Sequence, residues 1–407
     1  MSKPNLPFIY VTSLFFAWGF VTATLDPLVP LVKSVFTLSY AESMMTQFAF
    51  FLSYGVVSLP ASSFVARKGS ALSIIVALAC MVLGCLIIPV ATFLRAYPLV
   101  LVALFVIGSG ITLLQVAANP LAAALGAPET SHLRLTFSQA FNSLGTVLAP
   151  LLGSVVMLRG GVFGKGADIE ANRLESLRNI DLSFLLLAGA VALLAAGLWR
   201  VRRFLLTEAL APQEKAHSPF EALSSRWAVA GATAIFLYVG AEVSIGSIII
   251  NFLVQPQILG IVHEQAGRLL SLYWMGAMVG RFIGSGLLTR IRASALLTAA
   301  AAIAGLLCVT VSQSGGMVAA VAVLSIGLFN SIMFPNIFTL TLERSSAPAA
   351  ATSGLLCVAI VGGAILPQIV GRVADWAGLG ITFLVPAIAY FGIAAFAAAT
   401  LRPHQAA

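Results

Sequence analysis

Charge is what this chain lacks most. Lys, Arg, Asp and Glu make up 9% of its 407 residues, where a soluble globular protein carries about a quarter. So few charges cannot clothe the surface of a soluble chain of this length. Cysteine is scarce too. Cys80, Cys85, Cys308 and Cys357 all fall inside apolar runs, and no CxxC or Cys/His cluster is present, which leaves neither a disulfide scaffold nor a metal site. The excess of 22 cations over 14 acids is not gathered into a basic stripe, so it does not point to nucleic acid. No serine/base triad or phosphate loop emerges, which argues against an enzyme.

What the sequence has instead is apolar length. Hydrophobic residues reach 60% and the mean hydropathy is +1.02. Runs of about 20 apolar residues suffice to cross a hydrocarbon core of roughly 30 Å. Twelve such spans are predicted: 8–32, 45–66, 72–92, 97–124, 134–158, 182–201, 228–253, 266–288, 294–312, 317–340, 350–371 and 381–400. Continuous apolar character favours helices, since a backbone facing lipid must satisfy its hydrogen bonds internally. A membrane β-barrel would show short alternating segments. The opening residues run into the first span without a convincing cleavage site and are read as retained. The expected class is an all-α polytopic membrane protein: a six-helix bundle over 1–201, a cytoplasmic linker over 202–227 and a second bundle over 228–407. With the N-terminus inside, thirteen cations fall on the cytoplasmic side, eight on the other and Arg281 within a span. The positive-inside rule then puts both termini in the cytoplasm. The loop between the fifth and sixth spans balances four cations and four anions, with a short helix expected near Asp168.

The two sets of six share a weak repeat. Gln115 lies five residues before Pro120, as Asn330 does before Pro335, an offset of 215. Gly145 and Pro150 recur as Gly362 and Pro367, an offset of 217. Matching Gly/Pro interruptions in two halves point toward a transporter and its central cavity.

Among the 14 acids, Asp26 and Glu242 lie plainly inside spans. A carboxylate in hydrocarbon must face a cavity, find a partner or take up a proton. Asp26, directly before Pro27, is a candidate for proton coupling, or a cap on a broken helix end. Glu242 can bind a ligand or hold an interhelical network. Gln115 and Asn119 share a helical face by i,i+4 spacing, and Gln139 and Asn142 do so by i,i+3. Amides donate and accept hydrogen bonds without carrying charge, which suits sugar hydroxyls; helix–helix glue is the alternative. Asn251 and Asn330 add candidates in the second half. Phe20, Trp18, Tyr238 and Tyr273 are possible aromatic lining for a sugar face, or packing residues.

Together FFAWGFVTATLDPLVP, GITLLQVAANPLAAALG, LRLTFSQAFNSLGTVLAP, YVGAEVSIGS, LFNSIMFPNIFTL and GLLCVAIVGGAILPQIVGRVADWAG resemble the major facilitator superfamily, in particular its fucose–galactose–glucose/proton symporter group. The resemblance covers nearly the whole chain. It implies two six-helix bundles around one substrate path, alternating between outward-open and inward-open states in a bacterial cytoplasmic (inner) membrane. It implies a neutral hexose and a proton as ligands, with no organic cofactor, no metal and no obligate protein partner. It assigns proton coupling to Asp26 and sugar binding to Gln139 and Asn142. Some fucose transporters carry a second functional acid where this chain has Gln115, so their two-acid mechanism does not transfer. The LLQVAANP context is closer to the glucose/galactose branch. The expected activity is hexose–proton symport; a sugar uniporter and a drug or metabolite/proton antiporter are the alternatives.

Overall fold

The computed structural model describes residues 6–124, 131–164, 169–208, 219–288 and 290–401. Among these residues the regular structure is helical throughout. The first half contains α1 (Leu6–Ala23), α2 (Leu25–Val35), α3 (Tyr40–Ser43), α4 (Met45–Lys68), α5 (Ser70–Phe93), α6 (Tyr97–Ala124), α7 (Ser131–Met157) and α8 (Ile169–Glu208). The second contains α9 (Arg226–Leu253), α10 (His263–Leu288), α11 (Ala293–Gln313), α12 (Gly316–Asn330), α13 (Met333–Arg344), α14 (Ala349–Val358), α15 (Gly362–Ala377), α16 (Leu379–Thr382) and α17 (Leu384–Ala399). Among the described residues, eleven helical stretches are long and apolar enough to cross a membrane. The remaining expected span, 266–288, is helical within α10, but Arg281, Tyr273, Trp274 and several glycines and serines dilute its apolar character. The protein is multi-pass.

Four expected spans are interrupted, and proline or glycine chemistry accounts for where. The first breaks at Thr24, between α1 and α2. Pro27 has no N–H to offer the Ala23 carbonyl and its ring crowds that group. Asp26 thereby falls in the first turn of α2, where a carboxylate complements the positive end of the helix dipole. The tenth span breaks after Asn330, four to five residues before Pro335. The eleventh loosens into a 3₁₀ turn over Ala359–Val361, just ahead of Gly362 and Gly363. The twelfth breaks at Phe383, three residues before Pro386. The repeat read in the sequence is therefore not matched in backbone: α6 runs unbroken past Pro120, whereas its counterpart splits.

The polar loop after the fifth span also differs from expectation. Its helix is not a separate short one; α8 starts at Ile169 and continues through the sixth span. Polar contacts tether its start to neighbouring elements. Arg95 pairs with Glu170, Thr92 Oγ1 donates to Asp181 at 2.6 Å, and Ser176 Oγ accepts from the Val162 N–H at 2.9 Å. Residues 209–218, within the expected linker, lie outside the described residues.

Two compact units emerge. One comprises residues 1–28 and 52–216, the other 29–51 and 217–407. The second unit thus includes a piece of the first two spans. Within it, Asp375 at the end of α15 accepts the backbone N–H groups of Tyr40 and Ala41 at 2.7 and 2.8 Å. The same α3 start carries a reciprocal capping box between Ser39 and Glu42, so its orphan donors are satisfied from both sides.

Candidate functional site

The first unit brings α1 against α7. A Cβ on Gly145 would stand 2.5 Å from the Phe16 carbonyl oxygen and 2.8 Å from the Phe20 nitrogen; only glycine permits that approach. The proximity lets Asn142 Nδ2 donate to the Phe15 carbonyl at 3.1 Å. The Asn142 amide therefore ties helices together in this conformation, the glue reading of that residue. Gln139, one turn earlier and half-buried, has no side-chain hydrogen bond to a described residue. Gln115, half-buried on α6, donates to the Tyr54 hydroxyl at 2.7 Å. Asn119 lies in α6 but its side chain is outside the described residues. Trp18 is buried and packs on Phe15 at a centroid distance of 4.1 Å, a core contact, while Phe20 pairs with Phe16 at 5.9 Å. Asp26 is 5% exposed, buried at the α1–α2 break.

The second unit holds a denser polar cluster. On α9, Tyr238 donates its hydroxyl to Glu242 Oε1 at 2.7 Å, one helical turn apart. Arg281 on α10 is within electrostatic reach of both. Asn330, at the last turn of α12 before the break, donates Nδ2 to the Tyr273 hydroxyl at 2.8 Å. Tyr390 on α17 stands next to Asn330 and within electrostatic reach of Glu242 and Tyr273. Glu242, Tyr238, Tyr273 and Asn330, four sequence candidates from three helices, thus come together around Arg281 and Tyr390. Asn251 does not join them: nine residues beyond Glu242 on the same helix, it is about 13 Å further along the axis.

Hydrogen-bonding capacity in this unit is not exhausted. Among the described residues, Asn251 Nδ2, Asn336 Nδ2 and Gln368 Nε2 are buried without a hydrogen-bond partner, while Asn330 and the Tyr390 hydroxyl stand against each other. A buried donor or acceptor left unpaired costs about 1–3 kcal/mol, so these side-chain amides are suited to a polar ligand. Tyr390 and Gln368 escaped the sequence reading. A lone tyrosine near the chain's end gives no pattern, and Gln368 follows Pro367 without an amide partner at helical spacing. Among the described residues, no group of three or more His, Cys, Asp or Glu could hold a metal ion.

The arrangement offers neutral donors and acceptors with a few buried charges, and no activated nucleophile. Comparison with known proteins agrees in kind. The chain is 44% identical over 388 residues to a glucose/galactose transporter of Brucella abortus, covering 94% of this chain and 91% of the relative. It is 29% identical over 409 residues to the L-fucose-proton symporter of Escherichia coli, covering 96% and 92%. The crystal structure of FucP, a transporter of the Major Facilitator Superfamily, in the outward conformation aligns over 98% of this chain and 99% of that one, with a TM-score of 0.70 and 28% identity. The profile of the Major Facilitator Superfamily matches residues 11–356. Apolar helices built in two sets, buried polar clusters without catalytic machinery and a match across most of its length make this chain a membrane carrier belonging to the major facilitator superfamily.

Proposed function

We propose that the protein is a proton-coupled symporter that carries a neutral hexose, glucose or galactose, into the bacterial cytoplasm by alternating access. The observation that carries this reading is the division of labour among buried groups. One carboxylate, Asp26, sits at a helix break in the first unit, while the second holds a cluster of tyrosines with Glu242 and Asn330, and further buried amides with spare hydrogen-bonding capacity. Similarity to a glucose/galactose transporter and to a fucose-proton symporter supports the substrate class and the coupling ion. In this reading the functional halves are residues 1–201 and 228–407, joined by a cytoplasmic linker over 202–227, with both termini in the cytoplasm.

Asp26 takes up a proton from outside with the sugar and releases it inside. Coupling requires that its proton affinity differ between conformations, and a carboxylate at a helix break meets a changed dipole and changed solvation when the break flexes. Gln139 and Gln115 offer amides to sugar hydroxyls, with Asn142 and Asn119 beside them. Glu242, Asn330, Tyr273 and Tyr238 serve from the second unit, Asn251 nearer the end of α9, and Phe20 and Trp18 support the sugar-facing part of α1. Gln115 cannot titrate, so the transport cycle uses a single acid in the first half.

Purified protein in proteoliposomes, given a panel of radiolabelled hexoses with and without an inward proton gradient, tests the proposal. Symport predicts accumulation above the external concentration only with the gradient. Equilibration without accumulation would establish a uniporter instead, and concentration of a non-sugar solute alone would overturn the substrate class.

A further inference from the structure

A trough runs between α9 and α17, within the second unit, on a face that no part of the proposed transport site uses. It encloses about 540 Å³. Small residues make its floor: Ala230 and Ala234 from α9, Gly392 and Ala399 from α17. The neighbouring Val229, Phe391, Ala395 and Ala398 are exposed apolar side chains, as expected of a surface bathed in lipid. From Arg226 at one end to Leu237 at the other is eleven residues of helix, about 16 Å at 1.5 Å per residue. That is the depth of one leaflet, half of a hydrocarbon core of roughly 30 Å.

The open end of the trough is cationic and aromatic. Arg226, the first residue of α9, is exposed, and no described residue forms an ion pair with it. Trp227 forms the adjoining wall, its ring held edge-on to Phe396 at 6.2 Å. The Arg344 guanidinium lies 4.9 Å from the centre of the Trp227 ring and also donates to the Thr400 carbonyl, which fixes a second positive charge at the same end. Tryptophan and arginine at a span's end belong at headgroup level, and basic pockets between helices there attract anionic lipid headgroups.

We propose that this trough is a binding site for an anionic phospholipid, with one acyl chain lying along Ala230, Ala234 and Gly392 and the phosphate on Arg226. The length of the trough selects a chain of one leaflet, its lining selects hydrocarbon, and its mouth selects negative charge. A water-soluble phosphate would use the mouth and leave the trough empty.

Native mass spectrometry of the purified full chain, titrated with phosphatidylglycerol and with phosphatidylcholine of the same acyl chains, tests the assignment. A cation near the surface is worth about 5-fold in affinity for an anionic lipid, so phosphatidylglycerol should bind at least that much more tightly. Arg226→Gln should remove about 5-fold of its affinity and leave phosphatidylcholine unchanged, while Arg226→Lys should keep the preference. Thr233→Trp, which puts a large side chain at the trough's rim, should weaken both lipids. Equal affinity for the two lipids in the wild type would overturn the proposal. So would unchanged phosphatidylglycerol binding in Arg226→Gln, or binding of glycerol phosphate alone as tight as that of the whole lipid.

Discussion

Gly327→Ala is the substitution that best connects helix packing to the polar cluster. Gly327 lies on α12 where it crosses α10, and an added Cβ would stand 2.0 Å from the Tyr273 carbonyl oxygen and 2.8 Å from its carbon. Those are backbone atoms, so no side-chain rotation relieves the clash. Restoring ordinary contact requires the two helices to separate by about 1.5 Å, given that non-bonded heavy atoms sit at roughly 3.5 Å. Asn330, three residues further along α12, donates to the hydroxyl of that same Tyr273 at 2.8 Å. A separation of this size carries the bond beyond the range in which it counts as one. Overpacking costs about 1–3 kcal/mol, and loss of an interhelical hydrogen bond in a membrane adds about 0.6 kcal/mol. Thermal unfolding in detergent should therefore show clear destabilisation, and hexose counterflow in proteoliposomes should fall with it. Gly189→Ala on α8 is the matched control, because a Cβ there meets nothing within 4 Å; it should behave as wild type. If Gly327→Ala melts with the wild type and exchanges hexose at the wild-type rate, the packing argument is wrong.

Asp26→Asn should abolish gradient-driven hexose accumulation while leaving counterflow, since the amide imitates the protonated acid; concentrative uptake at the wild-type, proton-dependent rate would remove Asp26 as the proton carrier. Gln139→Ala should weaken equilibrium hexose binding without loss of stability, whereas Asn142→Ala should also lower the melting temperature, because its amide bonds the Phe15 carbonyl; identical stability in the two variants would contradict that difference. Tyr238→Phe removes the donor to Glu242 and should cost about 1–3 kcal/mol, most of it recovered when Glu242→Gln is added, so strict additivity in the double mutant would show that the pair does not act as a unit. Asp375→Ala removes an acceptor shared by two backbone N–H groups, and hydrogen exchange at Tyr40 and Ala41 should accelerate; unchanged protection would show that the capping box suffices.

Hydropathy located the helices because crossing hydrocarbon is a demand each segment meets by itself: the fourth expected span, 97–124, coincides with α6 (Tyr97–Ala124). Proline spacing flagged the regions of the breaks at Thr24 and after Asn330 for the same local reason. The equivalence of Gln115 and Asn330 was legible as a pattern, but their surroundings were not. Pro120 leaves α6 continuous while Pro335 accompanies a split, and the amides bond different tyrosines, Tyr54 and Tyr273.

Composition, run length and local spacing thus determined by themselves that the chain is a multi-pass helical membrane protein, and which polar residues its spans must accommodate. Tertiary structure alone decided which of them meet. It set Glu242 beside Arg281 and Asn330 between Tyr273 and Tyr390, and committed Asn142 to the Phe15 carbonyl. Asp375 beneath the start of α3 is the extreme case, a contact across more than 300 residues. The difference is physical: a helix in lipid closes its own hydrogen bonds within four residues, so its existence is written locally. The partner of a buried side chain depends on how closely whole helices approach, and that is set by glycines and bulky residues on other segments acting together.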